Sequence, residues 1–169
     1  MSTVAIIETT RMLISLIGEL QTLSVSQNYP QKTHDRVVLA LRTIYFTSDG
    51  VIKIMEDIAN GGMPDTDVIR EVLPPFNDAE WKVHDELKFL ESKKLQKSFN
   101  ITLKDSRILR EIAYGKRNLR HFIQDTLNEA LTLGNDVNRE DVNLAVKAVK
   151  ALNTSIEKIE AVYNRRAPK

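Results

Sequence analysis

Arg117, His121 and Asp125 stand four residues apart along the 169-residue chain. At 3.6 residues per turn, steps of four keep three side chains on one helical face. An imidazole can take or give a proton near neutrality. A guanidinium can hold a phosphate through two parallel N–H bonds. Arg117 and His121 are therefore the alternative to a reading with no catalytic residue, able between them to hold a phosphate and move a proton. The bland alternative is a solvated helix face carrying an Arg/Asp ladder.

The run Lys116-Arg117-Asn118-Leu119-Arg120-His121 partly resembles the motif of helical ribonucleases of the HEPN group. In that motif an arginine, often followed by a polar residue, precedes a histidine by four to six intervening residues. Asn118 matches the polar position, but only three residues separate Arg117 from His121, one short of the pattern. The resemblance covers six residues and implies an endoribonuclease. The sequence carries no further member of a catalytic set, so the expectation leans towards a protein that is not an enzyme.

Other chemistries find less support. There is no GxGxxG, GxxxxGK[ST] or GxSxG motif, and Gly115-Lys116 falls within a helical register, so the usual glycine-rich nucleotide loops are not expected. The absence of cysteine removes disulfides, thiolate zinc sites and a cysteine nucleophile. The three histidines lack metal-site spacing: Glu80 and His84 are four apart without a companion pair, and His34 stands alone beside Asp35. No metal and no cofactor is expected.

The pair sits inside a wider cationic block. Residues 93–121 hold nine Lys or Arg against two acidic side chains, Asp105 and Glu111, within a chain whose net charge is only +1. Lys93, Lys94 and Lys97 would end one helix. Lys104, Arg107, Arg110, Lys116, Arg117 and Arg120 would lie along the next, as the candidate nucleic-acid-binding residues. Clustered cations attract a phosphate backbone with strong salt dependence, although cations near helix ends also complement the dipole without any ligand. Few aromatic residues interleave with them, which gives single-strand stacking little support.

The elements that must carry these residues are helical throughout. Apolar residues make up 42% of the chain and glycine and proline are few, which suits a core built from helices. The first helix is expected over about 3–25, with Val4, Ile7, Ile14, Ile17 and Leu20 inward, Met12, Leu13, Leu16 and Leu23 broadening the stripe, and Gly18 at a close helix contact. Val37, Leu41, Ile44, Ser48, Val51, Met55 and Ile58 keep helical spacing straight through Asp49-Gly50, which predicts one helix from Thr33 to Asn60. Gly61-Gly62 should end it. A short helix over 65–73 should stop at Pro74-Pro75. Helices over 77–98, 102–133 and 138 to the tail follow, started by Asn77, by Thr102 with Asp105, and by Asn138.

The resulting expectation is an all-α, up-and-down bundle of five long helices and one short helix, forming one domain over residues 1–169. The longest strongly apolar run, Met12 to Ile17, is far below the ~20 residues of a membrane span. A cytoplasmic protein without membrane contact is expected. The leading functional expectation is a non-enzymatic interaction or adaptor protein that docks on a protein partner or forms a homo-oligomer. RNA or phosphate-backbone binding through residues 93–121 is the alternative.

Overall fold

The computed structural model describes residues 3–26, 30–78, 80–99, 101–114, 119–132 and 138–166. Among the described residues there are nine helical segments and no strand. Two of them are long: α1 (Thr3–Ser26) and α9 (Arg139–Arg166). These two lie along each other in the most extensive pairing of the fold. α2 (Gln31–Tyr45) packs on α9 and on α5 (Glu80–Leu90), and α3 (Asp49–Ala59) continues along α9. α4 (Thr66–Asp78) meets α8 (Leu119–Thr132), while α7 (Leu103–Tyr114) lies against α1. The short α6 (Lys93–Phe99) follows α5. Val37, Leu41, Ile44, Met55, Ile112, Leu119, Ile123, Leu127, Val149, Leu152 and Ile156 are all buried, as their spacing predicts.

The single helix expected over 33–60 is two helices. Phe46 and Ser48 adopt extended backbone angles, and α3 starts anew behind Ser48 with Asp49 in its first turn. Thr47 lies between them with its N–H donating to Asn153 Oδ1 at 3.0 Å and its carbonyl accepting from Asn153 Nδ2 at 2.8 Å. The apolar register survives because both halves present their stripe to α9, so spacing alone cannot reveal the break. Arg42 to Glu160 (2.6 Å) and Lys150 to Glu56 (3.0 Å) tie the two halves to the same helix.

Other boundaries differ too, so five long helices and one short helix is not the arrangement found. The helix expected over 77–98 divides at Glu91-Ser92, where Ser92 Oγ accepts the Leu95 N–H and starts α6. α4 runs through Pro74 and Pro75 to Asp78. The missing amides leave the carbonyls of Arg70 and Glu71 without helical donors, and both residues face solvent, where water can serve them. α7 and α8 flank residues 115–118, so the continuity expected there lies outside the described residues, as do the side chains of Asn77, Trp81 and Tyr163.

The stripe of α1 holds at Leu13, Leu16, Ile17 and Leu20 but differs elsewhere, with Ile7 and Ile14 only half-buried and Met12 exposed. Ile6, Thr10, Leu13, Ile17 and Leu20 are buried, whereas Val4 is 60% exposed. Thr9 and Thr10 enter the core by donating their hydroxyls to the carbonyls of Ala5 and Ile6. That device lets a polar residue occupy an inward position, and an apolar count misses it. A Cβ on Gly18 would meet nothing within 4 Å, so no close helix contact requires that glycine.

Several helix-boundary signals do hold. Gly61 has φ +82°, and the N–H groups of Gly61 and Gly62 donate to Ile58 and Asp57, closing α3 in a Schellman turn. Thr102 and Asp105 cap each other reciprocally at 2.9 and 3.1 Å, and Asn138 Oδ1 accepts the Asp141 N–H at 3.1 Å.

Candidate functional site

The Thr102–Asp105 capping box fixes where α7 begins, and its apolar residues decide which side meets water. Ile108, Leu109, Ile112 and Ala113 turn inward. Leu103, Lys104, Arg107 and Arg110 are exposed on the opposite side, within about 120° of helix circumference at 100° per residue. Leu103 is 84% exposed, the most of any large apolar side chain among the described residues.

One contact ties α6 to α7 and another ties α7 to the turn before α6. Gln96 Nε2 donates to Ser106 Oγ at 3.0 Å, and Arg110 reaches Glu91 at 2.7 Å. Leu95 anchors α6 in the core, which leaves Lys93 and Lys97 exposed together one turn apart. The outcome is exposed cations on two successive segments, Lys93 and Lys97 on α6 and Lys104, Arg107 and Arg110 on α7, with Leu103 exposed at the start of the second. Among the described residues Lys104 and Arg107 make no ion pair.

The remaining candidates part company. Arg120 turns inward instead of joining these cations: its guanidinium donates to the Phe76 carbonyl and stacks 4.1 Å from the Phe76 ring centre. It fastens α8 to the last turn of α4. Lys116 and Arg117 lie outside the described residues. His121 is exposed, with Nε2 3.7 Å from Asp125. It opens on a cleft of about 300 Å³ that also carries Glu129 and Asp141 and that no Lys or Arg lines among the described residues. A polyanion would be repelled there. Among the described residues no cluster of His, Asp and Glu could hold a metal ion, and no helix is long and apolar enough to cross a membrane.

Of the other histidines, His84 is exposed and His34 is buried. His34 Nε2 lies 3.1 Å from the Ile159 carbonyl, which can only accept, so that nitrogen carries the hydrogen. Its place is a bond between α2 and α9.

One feature escapes the sequence altogether. The first turn of α2 and the α5–α6 corner enclose a groove of about 230 Å³ lined by Lys32, Arg36 and Lys94. Arg36 is held by an ion pair with Glu86 and by the Phe89 ring, 4.2 Å from its guanidinium carbon. These partners lie some fifty residues away along the chain, so no local spacing announces them. No family model matches the chain, and neither the curated proteins nor the solved structures compared with it give a match.

Proposed function

We propose that the chain is a non-enzymatic interaction protein, a cytoplasmic single-domain bundle of up-and-down type, whose α6–α7 face docks on an acidic surface of a protein partner. The observation that carries this reading is Leu103, an apolar side chain 84% exposed at the start of α7, next to Lys104 and one turn before Arg107. An exposed apolar side chain beside charged ones suits a protein interface. Two such cationic faces repel each other, so the face favours an unlike partner over a second copy.

Phosphate-backbone binding is the second reading, favoured by the outward cations on two adjoining segments. It makes no use of Leu103. Purification from native cells with and without nuclease, comparing the wild-type chain with Leu103→Ser and Arg107→Glu, separates the two. A partner kept through nuclease treatment and lost in both variants supports protein docking. Nucleic acid lost in Arg107→Glu and retained in Leu103→Ser supports the second reading. Equal recovery from all three proteins overturns both.

A further inference from the structure

The groove between α2 and the α5–α6 corner combines three features. Its charged members, Lys32, Arg36 and Lys94, are all cationic, and no carboxylate lines it among the described residues. Thr33 and Ser92 add two hydroxyls, and Phe89 and Leu95 supply an apolar wall. Arg36 spends one N–H on Glu86 and rests against the Phe89 ring, so its head group is held in place while a guanidinium has five donors to offer.

We propose that this groove binds an organic phosphate monoester. A carboxylate has one charge and two oxygens, which a single arginine can satisfy. A phosphate monoester brings nearly two charges and three acceptor oxygens, the better match to two lysines, an arginine whose charge Glu86 already offsets, and two hydroxyls. Free inorganic phosphate would leave the apolar wall unused. The groove's volume of about 230 Å³ is several times the ~30 Å³ share of a water molecule, which leaves room for an organic group beside the phosphate. The phosphate would sit among Lys32, Arg36 and Lys94, and its organic substituent against Phe89 and Leu95. This site is separate from the Leu103 face and stands independently of what docks there.

Isothermal titration of the full chain with phenyl phosphate, inorganic phosphate and benzoate tests the assignment. Phenyl phosphate should bind tightest, with benzoate weaker by about tenfold or more, the loss expected when charge-assisted bonds go unmade. The double variant K32Q/K94Q should weaken phenyl phosphate by about tenfold or more, because two cations are removed from the groove. Its thermal melting should stay at the wild-type value, since both lysines are exposed. Lys53→Gln, at an exposed lysine of α3 outside the groove, should leave the affinity unchanged. Absence of phenyl phosphate binding at millimolar concentration, equal binding of benzoate or inorganic phosphate, or affinity unmoved in K32Q/K94Q would each overturn the proposal. If K32Q/K94Q melts early, the single variants K32Q and K94Q decide, and unchanged affinity in both counts against it.

Discussion

Asn153 and Thr47 exchange two hydrogen bonds across the helix break, side-chain amide against backbone amide, with both residues buried. The pairing works because a primary amide has the donor and acceptor of a peptide group. Where the chain leaves α2 and has not yet entered α3, Thr47 has no helical partner for either backbone group. Asn153, from the middle of α9, supplies both. Asn153→Ala should therefore cost about 2–4 kcal/mol, since a buried N–H and a buried carbonyl lose their partners together. Urea denaturation measures it. A loss below about 0.5 kcal/mol would show that water or backbone adjustment replaces the amide.

The two glycines Gly18 and Gly61 should respond to alanine with opposite signs. Gly18→Ala adds a methyl group to open space on a helix and should stabilise by about 0.5–1 kcal/mol through helix propensity. Gly61→Ala places a Cβ at positive φ and 2.6 Å from the Arg139 guanidinium, so it should destabilise by about 1–2 kcal/mol. The steric share should shrink in an Arg139→Ala background, which a double-mutant cycle on denaturation midpoints reads directly.

Arg120 and Arg107, both cations of the same block, should differ when changed to glutamine. Arg120→Gln removes the bond to the Phe76 carbonyl and the stacking on its ring, and should cost about 1–2 kcal/mol. Arg107→Gln should stay within about 0.5 kcal/mol, as exposed substitutions usually do. Equal losses in thermal melting would mean that Arg120 does not hold α8 to α4.

His121→Ala should leave stability within about 0.5 kcal/mol, since the side chain is exposed and its pairing with Asp125 is a surface one. With carboxylates around it, His121 should have no part in turnover of RNA. A cleavage assay on a labelled oligonucleotide that shows activity in the wild type and none in the variant would restore the ribonuclease reading.

The helical class and most of the core could be read from apolar spacing because burial repeats with the helix period. Leu41, Met55, Ile123 and Leu152 are inward for that reason. Caps at Thr102, Asn138 and Gly61 could be read because their hydrogen bonds are local. The break at Thr47 could not, since the group that stabilises it is 106 residues away. The same limit applies to the site. Sequence shows that cations cluster in 93–121, but only packing separates Lys104 and Arg107, which face water, from Arg120, which faces Phe76. The α2 groove is invisible to spacing because it joins Lys32 and Arg36 to Phe89 and Lys94.

The side-by-side placement of α1 and α9 sets an order of events during synthesis. The ribosome completes α1, α2 and α3 well before it begins α9, the helix on which all three pack. Until then Leu13, Ile17, Leu41 and Met55 have no final cover, and Thr47 has no Asn153. The nascent chain must carry these side chains in provisional contacts, and closing so long a loop slows the last step. Premature termination ahead of residue 139 would thus expose one continuous apolar seam and release a polypeptide prone to aggregation and proteolysis.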